Sequence, residues 1–129
     1  MKLLDTCVWI EIILGSPLGE TFKSLFLDKQ NVLVPNLVQF ELRRWAWREY
    51  SEAHVNQITL TLREAVVAQT SERTALLAAN LCIAHKLHAT DALIYATALD
   101  HDAELVTVDA HFKGLPHVDY TPKHPLKSK

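Results

Sequence analysis

Short apolar runs alternate with helix-length segments along the whole chain, and this alternation is the strongest constraint on its fold. Lys2-Leu3-Leu4-Asp5, Val32-Leu33-Val34, Ala65-Val66-Val67-Ala68, Leu105-Val106-Thr107-Val108 and the short run from His117 to Tyr120 read as strands. The intervening residues read as helices over about 7–14, 18–28, 36–50, 51–63, 71–87 and 91–101. Parallel strands need crossovers of this length, whereas antiparallel ones can be joined by two residues. The pattern therefore predicts a three-layer α/β domain with a central parallel sheet of four or five strands.

Local signals agree with this reading. Gly15-Ser16-Pro17 closes the first helix. Asn36, Ser51, Ser71 and Thr90 stand where helix caps are expected. Leu76, Ala79, Ile83 and Leu87 recur at helical spacing and are expected to face the core. On the 36–50 helix, Val38, Leu42 and Trp45 share one stripe, while Phe40, Arg43 and Trp47 lie towards the other side. A helix apolar on two sides is deeply buried or touches a partner.

At 129 residues the chain reads as one domain over 1–129, with about 121–129 as a flexible tail. It is 49% apolar and 22% charged, which suits a packed globular core and argues against disorder. No apolar stretch approaches a membrane span, and Asp5 and Glu11 interrupt the region a signal peptide would need. No membrane association and a cytoplasmic location are expected. Cys7 and Cys82 form no CxxC pair, so structural zinc has no support, and both read as reduced thiols. The net charge of −2 lacks a general basic footprint. Arg43, Arg44 and Arg48 nevertheless cluster in mid-chain, and Lys113, Lys123, Lys127 and Lys129 lie towards the C-terminus, where they read as a solvated face.

Four acids stand out against this background. Asp5 ends the first strand, Glu41 lies inside the 36–50 helix, Asp91 opens an apolar helix and Asp109 follows the fourth strand. Each has a bland local reading as a turn, cap or first-turn acid, and Glu41 could pair with Arg44 or Arg48 at i+3 and i+7. In parallel α/β sheets, however, ligands bind beyond the carboxyl ends of the strands, where Asp5 and Asp109 fall. Acids brought together there repel one another unless a cation neutralises them. Hard divalent ions such as Mg²⁺ take carboxylates, waters and substrate phosphates as ligands. The set suggests a metal site acting on a phosphate-bearing substrate.

The stretches Leu3–Ile10, Val34-Pro35 followed by Glu41, Thr90–Ala98 and Leu105–Phe112 together resemble the PIN-domain ribonucleases, especially the VapC toxins of bacterial toxin–antitoxin pairs. The resemblance spans nearly the whole chain in order. It implies an endoribonuclease dependent on Mg²⁺ or Mn²⁺, acting on RNA, forming a homodimer and inhibited by a cognate antitoxin. It places acids at Asp5, Glu41, Asp91 and Asp109 as catalytic and metal-binding residues. Asp5, Asp91 and Asp109 are expected to be the main ligands, with Glu41 a further ligand or a general base. Thr6 and Thr107 would offer hydroxyls to the acids or to substrate, and Arg44 and Arg48 would meet RNA phosphates. Cys7 departs from the small polar residue usual in relatives. The alternative is a non-catalytic RNA-binding or scaffolding module on the same fold, which loss of an acid would have favoured.

Other chemistries find less footing. An aspartyl-phosphate mechanism would want a carboxylate two residues past Asp5, where Cys7 stands. There is no G-x-S-x-G elbow and no phosphate-cradling glycine-rich loop. His85 and His88 lie three apart but lack companions at zinc-site spacing, so a surface role is expected. His111 follows Asp109 closely enough to meet substrate. Asp100-His101-Asp102 reads as a solvated turn.

Overall fold

The computed structural model describes residues 1–123. Five strands, β1 (Lys2–Leu4), β2 (Val32–Pro35), β3 (Val66–Ala68), β4 (Glu104–Thr107) and β5 (Val118–Tyr120), form one sheet in the order β3-β2-β1-β4-β5. All four pairings are parallel. Six helices flank it: α1 (Thr6–Leu14), α2 (Pro17–Lys23), α3 (Asn36–Glu49), α4 (Glu52–Leu62), α5 (Glu72–His85) and α6 (Ala89–Asp100). The predicted α/β architecture with a parallel sheet is thus found, with five strands.

The central strands β1, β2 and β4 are apolar because both of their faces are covered. Leu3, Leu4, Val32, Leu33, Val34, Leu105 and Val106 are all essentially inaccessible. Edge strand β3 leaves Val66 and Val67 exposed. The helix starts are chemically explicit. Ser16, Ser51 and Ser71 each accept a hydrogen bond from a backbone N–H in the first turn of α2, α4 and α5. Gly15 ends α1 in the left-handed region at φ 66°, where glycine carries no Cβ penalty. Gly19 is demanded by contact instead: a Cβ there would stand 2.0 Å from the Glu11 carbonyl oxygen, so α2 could not pack on α1.

Several local expectations are corrected. The second helix ends at Lys23 and tightens into a 3₁₀ turn over Ser24–Leu27. Asn36 does not cap α3; Pro35 holds that position, and the Asn36 amide donates to Gln39 Oε1 at 2.7 Å. Thr90 lies inside α6, whose cap residue is His88. The stripe Leu76, Ala79, Ile83 faces outward, with Ile83 84% exposed, and only Leu87 of that set is buried. The inner side of α5 carries Thr74, Leu77, Ala78 and Leu81 instead. Its polar member is satisfied by Asp100, whose carboxylate accepts from the Thr74 hydroxyl at 3.0 Å and pairs with Arg73 at 2.8 Å. Asp100 is therefore a structural acid rather than part of a solvated turn. Periodicity identifies stripes, but two stripes on one helix are told apart only by what packs against them.

Of the expected tail, residues 124–129, with Lys127 and Lys129, lie outside the described residues. The Thr121 N–H still donates to the Thr107 carbonyl at 2.9 Å, continuing the edge pairing of β4. No described helix is long and apolar enough to cross a membrane.

Candidate metal centre

The strand order reverses direction between β1 and β4, so the chain leaves these neighbours towards opposite sides. Such a switch point opens a crevice at the carboxyl ends of the strands. Asp5 follows β1 there. Its backbone N–H donates to the Val106 carbonyl of β4 at 2.9 Å, which fixes it against the neighbouring strand. Asp109 follows β4 and caps the 3₁₀ turn Ala110–Phe112. Asp91 occupies the first turn of α6, where the N-terminal dipole favours a negative charge. Glu41 reaches in from the second turn of α3.

Hydroxyls tie these acids together. Thr107 is fully buried; its Oγ1 donates to Asp5 Oδ2 at 2.8 Å and accepts from the Asp109 N–H at 3.0 Å. The Thr6 N–H donates to Asp5 Oδ1 at 2.8 Å, and its hydroxyl donates to Glu41 Oε1 at 2.7 Å. Cys7 Sγ lies 3.5 Å from Asp5 Oδ2 and 3.6 Å from Thr107 Oγ1, so the thiol supplies a weak hydrogen bond at the polar position it replaces. Both residues expected to contribute hydroxyls, Thr6 and Thr107, thus touch the acids.

The electrostatics mark a site short of positive charge. Burial pushes the Asp5 carboxyl up to about 6; the Thr107 and Thr6 hydrogen bonds oppose the rise and the nearby Asp91 adds to it. The Asp91 carboxyl is also raised, by burial first and then by Asp109 and Glu41, with His111 and His88 acting in the opposite direction. Burial and the Asp5 charge hold the Cys7 thiol up at about 12, so it stays protonated and can donate to Asp5. Among the described residues no lysine or arginine pairs with any of the four acids; the one basic partner is His111, whose Nδ1 stands 2.7 Å from Asp109 Oδ1. Converging carboxylate oxygens without a protein cation are the donor set that a hard divalent ion requires. One donor atom each from Asp91, Asp109 and His111 already lies within 4.8 Å of the others.

The two arginines expected to meet RNA are exposed on α3. Arg44 lies over the Phe40 ring at 5.1 Å, and neither it nor Arg48 pairs with Glu41, whose partner is Thr6. His88 is exposed, in keeping with the surface role expected of it; it stands just before α6, with its ring 6.1 Å from that of His111. His85 instead packs near Tyr95 at 6.3 Å. An apolar cleft of about 230 Å³, lined by Trp9, Ile13, Phe26, Leu42, Ile58 and Leu62 among others, contains none of the four acids. The buried Trp9 indole N–H at that cleft has no hydrogen-bond partner among the described residues.

Comparison with known proteins bears on the fold and the family. Among curated proteins, none matches the sequence. A chain of a toxin–antitoxin complex from Klebsiella pneumoniae is similar to this one, with TM-score 0.78 and 26% identity over 92% of this chain and 96% of that one. A chain of VapBC2 from Rickettsia felis, bound to a DNA fragment from its promoter, gives TM-score 0.73 at 16% identity over 94% and 97% of the two chains. VapC20 of Mycobacterium tuberculosis, a toxin that cleaves the sarcin–ricin loop, gives 0.71 at 18% identity over 87% and 92%. The last two speak for the fold alone. The PIN-domain family model matches residues 2–118, which takes in β1 to β4, the first residue of β5 and all four acids, and the chain therefore belongs to the PIN-domain family.

Proposed function

We propose that this chain is a divalent-metal-dependent endoribonuclease that hydrolyses RNA phosphodiester bonds, acting as the toxin of a type II toxin–antitoxin pair. One observation carries the reading: Asp91 and Asp109 bring carboxylate oxygens within 4.8 Å of one another beside His111, Asp5 and Glu41 are close enough for their charge to couple with that of Asp91, and among the described residues no lysine or arginine pairs with any of the four. Likeness to chains of toxin–antitoxin complexes supports the biological role. The presence of all four acids favours this reading over a non-catalytic module on the same fold.

Mg²⁺ or Mn²⁺, when bound, would supply a Lewis acid that lowers the pKa of water and offsets charge on the leaving oxygen. The chain's own residues do the rest. Asp5, Asp91 and Asp109 hold the ion. Thr107 orients Asp5 against Asp109. Thr6 occupies Glu41 Oε1 and leaves Oε2 free, as a further ligand or to take the proton from the attacking water. Arg44 and Arg48 meet backbone phosphates beyond the reacting one. A reducing cytoplasm suits the two free thiols and is where the RNA lies.

The direct experiment uses the purified full chain, free of any partner. It should cut structured RNA internally with Mg²⁺ or Mn²⁺ and stop on addition of EDTA. Cleavage unaffected by EDTA would remove the metal mechanism. Replacing Arg44 and Arg48 by Gln should weaken RNA binding and lower its salt slope by about two. An unchanged slope would take both off the RNA path.

Self-association is part of the same reading. Phe40 and Trp47 are exposed on α3, and Leu76 and Ile83 on α5, leaving two apolar faces free for partners. Light scattering at micromolar concentration should give twice the 14.6 kDa chain mass. A strict monomer, with and without the antitoxin, would rule out the dimer.

A further inference from the structure

The proposed cation site is built from oxygen donors, with one nitrogen beside them. His111 sits in the 3₁₀ turn directly after Asp109. Its backbone N–H donates to Asp109 Oδ1 at 2.9 Å, and its Nδ1 stands 2.7 Å from that same oxygen. The turn is anchored by Phe112, which is fully buried and meets Tyr95 edge-on at 5.9 Å between ring centroids. The backbone that carries the imidazole is therefore fixed, while the ring itself is 65% exposed.

Size is the second consideration. The donor atoms of Asp91, Asp109 and His111 lie within 4.8 Å of one another. Ligands held at about 2.1 Å from one octahedral ion stand roughly 3 Å apart when adjacent and about 4.2 Å apart when opposite. The cluster has the dimensions of a single coordination shell, and small side-chain turns would close it around one ion. We propose that His111 is a nitrogen ligand to the cation held by Asp91 and Asp109, and that the site therefore prefers transition-metal divalent ions to Mg²⁺. The proposal rests on the metal-site reading above. Its chemistry is that Mg²⁺ favours oxygen, whereas imidazole suits the later first-row ions, whose affinities rise from Mn²⁺ through Co²⁺ to Ni²⁺.

A different role would give the same distances. The imidazole could donate to Asp109 and only orient it, as groups around metal ligands commonly do. Orientation costs every cation alike, whereas a lost nitrogen ligand costs them in the order of their liking for nitrogen.

The test uses the full chain without partner, loaded with Mn²⁺ and read by electron spin-echo modulation. The bound Mn²⁺ should show ¹⁴N coupling that disappears in His111→Gln and survives in His88→Gln. Titration calorimetry on His111→Gln should show about a tenfold or larger loss of affinity for Co²⁺ and Ni²⁺, a smaller loss for Mn²⁺ and under about twofold for Mg²⁺. The exposed ring makes this substitution harmless to the core, which circular dichroism would check. Bound Mn²⁺ without ¹⁴N coupling, coupling that persists in His111→Gln, or equal losses for all four ions would each overturn the proposal. Failure of the unmodified chain to bind Mn²⁺ at all would instead overturn the metal site, and this ligand with it.

Discussion

Asp5→Asn should abolish RNA cleavage and, in the metal-free protein, raise the melting temperature at neutral pH. The two effects share one cause. Asp5 is 5% exposed, with its carboxyl pushed up to about 6 mainly by burial. The folded chain binds this proton more tightly than the unfolded chain, so folding takes up a proton between about pH 4 and pH 6. Stability falls as the pH rises through that window. Above it, the ionised carboxylate costs the metal-free fold about 3 kcal/mol. Asparagine keeps the shape and the acceptor for the Thr6 N–H while removing the charge. Re-pairing its amide with Thr107 takes back part of the gain, leaving about 1–3 kcal/mol and several degrees in melting temperature. The variant's advantage over the parent should be lost at pH 4, where the charge no longer counts against the parent.

Metal reverses the balance. A divalent ion at a hundred times its dissociation constant stabilises the parent by about 2.7 kcal/mol, and the variant has lost a ligand. Ion binding also needs Asp5 ionised, so the parent's affinity should fall below about pH 6. Cleavage by the variant should drop by about a hundred- to a thousandfold or more, the scale on which single charge-stabilising groups act. Scanning calorimetry in EDTA at pH 4 and pH 7.5, beside an RNA cleavage assay, checks all of this. A well-folded Asp5→Asn protein that cuts RNA at the parental rate would sink the four-acid mechanism.

Thr107→Val should weaken metal binding by about ten- to a hundredfold, with a matching loss of cleavage at limiting metal. Valine has nearly the same shape, so no cavity forms. What disappears is a hydroxyl that donates to Asp5 Oδ2 and accepts from the Asp109 N–H. Asp5 Oδ2 is then left with only the Cys7 thiol at 3.5 Å. The Asp109 N–H loses its described partner, which costs about 1–3 kcal/mol where water cannot reach it. Thr107→Ser keeps the hydroxyl and should restore metal affinity while giving up some packing. Calorimetric titration of Mn²⁺ into the three proteins separates these outcomes. Valine binding as tightly as threonine would remove Thr107 from the support of the site.

Much of this was legible along the chain because local rules act on neighbours in sequence. The runs at Leu3-Leu4, Val32–Val34 and Leu105–Val108 are strands because both faces of a parallel sheet are covered, so no polar residue interrupts them. Ser51 and Ser71 mark helix starts because their hydroxyls reach an N–H three residues on. Glu41 was ambiguous, since Arg44 at i+3 offers the same carboxylate a partner on its own helix. The fold decided that case by bringing Thr6, 35 residues away, within 2.7 Å of it. Asn36 and Thr90 were misjudged as caps because capping depends on where the backbone turns, and Pro35 and His88 turn first.

The amino-acid sequence by itself determined the parallel sheet, its crossovers and the identity of the four acids, since these rest on periodicity and on residue chemistry. Only the tertiary structure decided which side of α5 is inside and that Asp100 is a structural acid. It alone decided that Thr6, and not an arginine of the same helix, meets Glu41, and that Thr107 bonds Asp5. The physical reason is the same in each case. Burial, hydroxyl bridges such as Thr107, and repulsion among carboxylates are set by distances between elements 35 to 102 residues apart in the chain, and no local pattern encodes those distances.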